Sequence, residues 1–183
     1  MLKIIKGVKK GHSLKSISNK IYVRPILAQV KKSLFDIIKG IIYNANFIDL
    51  FSGVGTVGLE ALSCYAGHVT FVESNSVLVS CIKHNIDMLN FTAKTNVIQC
   101  DLTKKFYRLK KSKFNIVFMD PPYEKIGLTY ITLNNIVKYN IVTKDSIIIS
   151  KRNIKEKISN IQSLHCIRNV KYGNTGIFFY KTT

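Results

Sequence analysis

The chain has 183 residues, 46% of them hydrophobic, enough for one domain with a substantial core. No apolar run approaches the ~20 residues that span a bilayer, and Met1 to Lys10 alternates Lys with Leu, Ile and Val instead of opening a signal-type block, so a cytoplasmic protein without membrane attachment is expected. Lys and Arg number 28 against 10 Asp and Glu, a formal net charge of +18 that favours nucleic acid as partner, although biased codon usage in a chain so rich in Lys, Ile and Asn would also raise it.

Before Gly40 there are nine Lys and Arg24 against one acid, Asp36. Leu2, Ile4 and Ile5, then Leu14 and Ile17, then Ile21, Tyr22 and Val23, set around Gly7 and Gly11, predict a hairpin-like basic arm of short strands. Arg24-Pro25 breaks the extended pattern, and Ile26, Val30, Leu34, Ile37, Ile38 and Ile41 recur at the spacing of a helix of about four turns. Residues 1–40 are therefore expected as a basic extension and 41–183 as the main domain.

From Asn46 apolar runs near 47–51, 68–72, 96–99, 114–119 and 146–150 alternate with helix-length segments, the rhythm of a parallel sheet covered by helices on both faces. Ser76 to Leu89 is the clearest helix: Leu78, Ile82, Ile86 and Leu89 make one face, with Lys83, His84 and Asp87 away from it. Leu164 to Lys171, Gly173-Asn174 and Ile177 to Tyr180 then predict an antiparallel hairpin that ends the sheet. Cys64, Cys81, Cys100 and Cys166 contain no Cys-x-x-Cys pair, and His12, His68, His84 and His165 no cluster, so reduced thiols and no metal site are expected.

Phe47 to Leu59 passes from a strand through Gly53-x-Gly55-x-x-Gly58 into a helix, and Glu73 closes the next strand. Glycines let backbone N–H groups approach a ligand, and an acid at the second strand's tip can accept from both ribose hydroxyls. The spacing also satisfies a dinucleotide fingerprint, which keeps a dehydrogenase in consideration. Asp49 argues against it, because a carboxylate there repels diphosphate but suits the ammonium and sulfonium of S-adenosylmethionine. The candidate cofactor residues are Asp49, Phe51, Ser52, Gly53, Gly55, Glu73, Asp101 and Leu102. Asp101 can accept from the adenine amine or serve as a helix N-cap, and both roles are compatible.

Asn115 to Met119 delivers Asp120-Pro121-Pro122-Tyr123 to the carboxyl edge of the sheet, where open α/β folds bind ligands. The lone pair of a base's exocyclic amine is conjugated into the ring, so an enzyme must orient the nitrogen and favour its pyramidal form. Asp120 and the Pro121 carbonyl are acceptors for its two protons, the prolines fix the backbone, and Tyr123 offers a stacking face. This chemistry leaves adenine N6, cytosine N4 and guanine N2 open, in DNA or RNA. A non-catalytic RNA-binding assembly protein on the same scaffold is the alternative of another class. Lys104, Lys105, Arg108, Lys110, Lys111 and Lys113, with Phe106 and Tyr107 between them, either grip phosphates or form a solvated face.

Together with Lys3-Ile4-Ile5-x-Gly7, Leu14, Arg24-Pro25, Val30-x-x-Ser33-Leu34-Phe35-x-Ile37, Glu60-Ala61, Phe71-Val72-Glu73, Gly127 and Tyr172-Gly173-Asn174-Thr175, these motifs resemble the RsmD family, the 16S rRNA guanine-N2 methyltransferases, along almost the whole chain. The resemblance implies a Rossmann-like class I methyltransferase of the α/β class. Its sheet would have seven strands, mostly parallel, with an antiparallel C-terminal hairpin and a small basic N-terminal extension. It also implies S-adenosyl-L-methionine as cofactor and guanine N2 in 16S ribosomal RNA as target, met as RNA, as the 30S subunit or as an assembly intermediate. After Arg24-Pro25 this chain continues Ile26-Leu27-Ala28-Gln29, where the family usually has Thr and charged residues. Arg24, Lys9, Lys10 and Lys31 are the candidate RNA contacts of the arm, Arg24 alternatively pairing with Asp36, and a monomer is expected.

Overall fold

The strand-helix alternation read from Asn46 onward is present element by element in the computed structural model, which describes residues 2–17, 26–125 and 127–183. After helix α1 (Ala28–Ile37) come β1 (Asn46–Leu50), α2 (Thr56–Ser63), β2 (His68–Glu73), α3 (Ser76–Met88), β3 (Thr95–Gln99), α4 (Leu102–Lys105), β4 (Phe114–Met119), α5 (Leu128–Lys138), β5 (Val142–Asn153), β6 (Leu164–Tyr172) and β7 (Thr175–Thr182). The seven strands make one sheet in the order β3-β2-β1-β4-β5-β7-β6. β1 with β2, β2 with β3 and β4 with β5 are parallel, whereas β5 with β7 and β6 with β7 are antiparallel. The chain divides into two compact units, 1–100 and 101–183.

In the first unit α2 is buried on every side, so its packing tolerates no added volume. A Cβ built on Gly58 would lie 2.3 Å from Cε1 of Phe71 on β2, which is why the third glycine of the motif is needed. Helix α3 starts at Asn75, whose Oδ1 accepts from Val77 N at 2.9 Å, and it buries Leu78, Ile82 and Ile86 while Lys83, His84 and Asp87 are exposed. Helix α1 has 10 residues, shorter than the four turns expected. Its stripe holds at Val30, Leu34 and Ile38, which are buried, but not at Ile41, which is exposed: Gly40 intervenes and the chain leaves in tight turns, Ile41 N bonding Ile38 O at 3.0 Å.

The arm is a turn more than a pair of strands. Among the described residues a bridge joins Lys3 to Ser13, and Gly11 N donates to Ile4 O at 2.9 Å. Between Leu14 N–Leu2 O at 2.8 Å, Ile4 N–His12 O at 3.0 Å and the turn, the backbone also bonds outward to α2: Ile5 N and Lys6 N donate to Glu60 Oε1 at 2.9 and 2.6 Å, Val8 N to Ser63 O at 2.9 Å, and Lys9 N to Ser63 Oγ at 3.0 Å. Gly7 adopts φ 77°, and a Cβ there would lie 1.8 Å from Ser63 O, so no other residue fits this approach. Farther on, Lys15 N donates to Asn85 Oδ1 at 2.8 Å and Lys15 O accepts from Asn85 Nδ2 at 3.1 Å. The expected strand residues Ile21 to Val23 lie outside the described residues.

In the second unit the register pairs Ile116 with Ile147 and Met119 with Ser150, so the residues that follow, Asp120 and Lys151, come next on neighbouring parallel strands. Between Phe114 and Ile116 the register shifts, and Ser146 Oγ seals the irregularity by donating to Phe114 O at 2.7 Å. Strands β6 and β7 close through the turn at Gly173, where φ is 55°.

Candidate active site

The carboxyl ends of β1 and β2 build the glycine-rich turn. Leu50 pairs with Val72, so Phe51 follows on β1 where Glu73 follows on β2. Phe51 has φ 62°, a conformation rare for an aromatic residue, and Gly53 and Gly55 follow at φ 58° and 82°. Ser52 fastens the turn to both strands: its Oγ donates to Asp49 O at 2.6 Å and accepts from Val72 N at 3.0 Å. Both expected acids are buried and engaged. Asp49 Oδ2 accepts from Gly58 N at 2.9 Å, in the first turn of α2, where the helix leaves N–H groups without partners. Glu73 Oε2 accepts from Gly53 N at 2.9 Å, while its Oε1 accepts from Ser74 N at 2.8 Å and Asn75 N at 2.9 Å. Asp49, read from the sequence as a counter-charge for the cofactor, thus also ties the loop to its helix.

Asp101 takes the N-cap role. Its Oδ1 accepts from Thr103 N at 2.9 Å and Thr103 Oγ1 at 2.6 Å, and these bonds hold its carboxyl below the usual range. Leu102 buries its side chain, so only its backbone can meet a ligand. In α4 and just past it, Lys104, Lys105, Arg108, Lys110, Lys111 and Lys113 are exposed, as is Tyr107. Phe106 is buried and stacks on Tyr139 with ring centroids 5.7 Å apart, so of the two interleaved aromatics only Tyr107 can face a partner.

The reaction turn is built at the end of β4. Asp120 is partly exposed, Pro121 buried, and Tyr123 39% exposed. A residue not anticipated from the sequence joins them: Lys151, almost fully buried on β5, donates from Nζ to Asp120 Oδ1 at 2.8 Å, to Asp120 Oδ2 at 2.7 Å and to the Tyr123 hydroxyl at 2.9 Å. Burial pushes the Lys151 pKa down, but the Asp120 charge and these hydrogen bonds outweigh it and the ammonium is held above its ordinary value. A signal was present in the sequence. Lys151 is the first charged residue after the apolar run of the fifth strand, just as Asp120 is after that of the fourth, and parallel register places the two side by side.

Of the arm's candidate RNA contacts, Lys10 is exposed and Lys9 half-buried, its Nζ 5.9 Å from the Phe91 ring centre. Lys31 is not available for phosphate: it is buried, pairs with Glu60 Oε2 at 2.6 Å and donates to Lys3 O at 2.9 Å. The fully buried Glu60 carboxylate needs a cation more than the helix surface does, and Lys31 on α1 supplies it. Arg24 lies outside the described residues, and Asp36, its alternative partner, is paired with Lys6. Among the described residues no helix is long and apolar enough to cross a membrane, and no group of three His, Cys, Asp or Glu could hold a metal ion.

A family model described as conserved hypothetical protein 95 matches residues 2–181. YlbH of Bacillus subtilis, described as an rRNA methyltransferase, is 30% identical over 183 residues, 98% of each chain. Ribosomal RNA small subunit methyltransferase D of Buchnera aphidicola is 31% identical over 157 residues, 85% of this chain and 80% of that one. Among solved structures, the yhhF protein of Escherichia coli, described as a methyltransferase, has a TM-score of 0.88 at 24% identity and covers 99% of this chain and 97% of its own. An RNA methyltransferase from Salinibacter ruber, in complex with S-adenosyl-L-homocysteine, has a TM-score of 0.65 at 13% identity, with 87% of this chain and 94% of that one covered. These structures carry the Rossmann-like fold seen here.

Proposed function

This chain belongs to the family described as conserved hypothetical protein 95, the RsmD family, and on that premise we propose that it transfers a methyl group from S-adenosylmethionine to the N2 amine of a guanine in 16S ribosomal RNA. The observation that carries the reading is Asp120 at the end of β4, partly exposed and fixed in place, with Pro121 behind it and the Tyr123 ring beside it. Asp120 and the Pro121 carbonyl accept the two amine protons and bring the nitrogen lone pair out of conjugation. Tyr123 stacks on the base and holds the nitrogen in line. With the cofactor bound, the nitrogen would take the methyl it supplies, the sulfur would keep the departing electron pair, and the surplus proton of the nitrogen would pass to water. No covalent enzyme intermediate is required.

The residues of the first unit fit the cofactor. Gly58 leaves no room for a side chain and Gly55 sits at φ 82°, so the turn offers backbone N–H groups to a carboxylate, as Gly53 N already does to Glu73. Glu73 would accept from ribose hydroxyls, and Asp49 would face the ammonium through the turn it anchors. When bound, the cofactor supplies an electrophilic methyl on a positively charged sulfur. Arg24, Lys9, Lys10 and the exposed cluster from Lys104 to Lys113 would meet phosphates of the substrate.

The deciding experiment incubates the protein with labelled cofactor and unmodified small subunits or their RNA, then identifies the labelled base. N2-methylguanine at one site is expected. Cofactor binding without transfer to either substrate would favour a non-catalytic role, and transfer only to duplex DNA would move the target to another amine.

A further inference from the structure

The transfer scheme above leaves one group at the reaction turn without a task, the Lys151 ammonium. We propose that Lys151 is a positioning residue for methyl transfer, holding Asp120 ionised and aimed and fixing Tyr123 before the base arrives. The inference rests on the reading of Asp120 as the amine acceptor.

An ammonium has three N–H donors, and at Lys151 all three are committed: two to the oxygens of Asp120 and one to the Tyr123 hydroxyl. The pair grips the carboxylate at both oxygens, which stops it rotating about its last bond. The same nitrogen meets Tyr123 at its hydroxyl end, 2.9 Å from the oxygen and 5.1 Å from the ring centre, so the acceptor and the stacking ring are locked to a single atom. Parallel register carries that atom: Met119 pairs with Ser150, and the next residue on each strand completes the contact through side chains that point to the same side.

Electrostatic coupling is mutual. The carboxylate that holds Lys151 protonated is itself held ionised by Lys151, and a protonated Asp120 has fewer acceptor positions to offer an amine. Tyr123 shares the loop of Asp120, Glu124 and Lys125 beyond it are exposed, and Arg152, the next residue on β5, is turned to the Phe178 ring, the Tyr180 hydroxyl and the Glu156 carbonyl. Lys151 is thus the cation that β5 supplies to Asp120. Its charge has a cost, because nitrogen becomes more positive as the methyl transfers. The proposal therefore requires that orientation and ionisation of Asp120 outweigh this repulsion.

The test uses the full chain with Lys151→Met and Lys151→Arg. Carboxyl-labelled aspartate gives an NMR titration of Asp120, its signal identified by its absence in Asp120→Asn. Single-turnover transfer to small-subunit RNA gives the pH profile. In Lys151→Met the Asp120 midpoint is expected to rise by about one to three pH units, the acid limb of transfer to rise with it, and the maximal rate to fall about tenfold. Lys151→Arg, which keeps a cation, should restore both titrations toward their original positions. A merely structural lysine would lower the melting temperature and leave the midpoints where they were. An unmoved Asp120 midpoint in folded Lys151→Met, or transfer as fast as or faster than that of the unsubstituted protein, overturns the proposal. If the unsubstituted protein transfers no methyl to RNA, the ribosomal RNA reading fails, and the carboxylate titration still decides the role of Lys151.

Discussion

In the first unit Asp49 and Glu73 are held by backbone N–H groups of Gly58, Gly53, Ser74 and Asn75, whereas in the second Asp120 is held by a side-chain cation. Backbone donors do not titrate, and no side chain has to be present to supply them. The glycine-rich turn is consequently a property of chain path, set by glycines and left-handed residues. The reaction turn depends on one lysine from a neighbouring strand, so its acceptor responds to mutation and to pH.

Asp120→Ala tests the contrast with the largest effect. Transfer should fall by about 100- to 1000-fold, with cofactor affinity in calorimetry nearly unchanged; a parallel loss of affinity would mean that the two halves are not independent in this sense. Lys31→Met probes the exception in the first unit, where Glu60 also has a side-chain cation. Breaking a buried pair should cost about 3 kcal/mol of stability in urea denaturation. A cost below about 1 kcal/mol would mean that the amides of Ile5 and Lys6 satisfy Glu60 by themselves.

The smallest effect concerns a thiol beside that carboxylate. Burial, then the Glu60 charge, pushes Cys64 from its ordinary 9.0 up to about 11. The folded chain therefore keeps this proton longer than the unfolded chain does. Its contribution to stability is full below pH 9.0 and declines as pH rises toward 11. Iodoacetamide at about pH 8 should modify the exposed Cys166 well before Cys64, by peptide mass mapping. Equal rates would show that the Cys64 site opens readily.

What the sequence could reveal follows the same division. Apolar runs located β1 to β5, of which β1, β2 and β4 are buried along nearly their whole length, a period-3.6 stripe located α3, which buries one face, and turn residues located the closing hairpin. Glycine spacing located the tight turn after β1, because backbone conformation constrains residue type locally. Lys31, Glu60 and Lys151 were not assigned correctly, because each depends on a contact between residues distant in the chain. Lys31 looked like one more arm cation until Glu60, 29 positions away, was seen beneath it. Lys151 lies 31 positions from Asp120, and only strand register brings them together.

The short helix α2 has one further consequence. Its first turn receives Asp49 and its last holds the arm through Glu60 and Ser63. Residues 5 to 9 cannot lift away without taking two amide donors from a carboxylate with no exposed surface and uncovering the helix that follows the glycine turn. The arm and α2 therefore open as one cooperative segment, and amide exchange at Ile5, Lys6, Val8 and Lys9 reports the local unfolding free energy of the cofactor cradle itself.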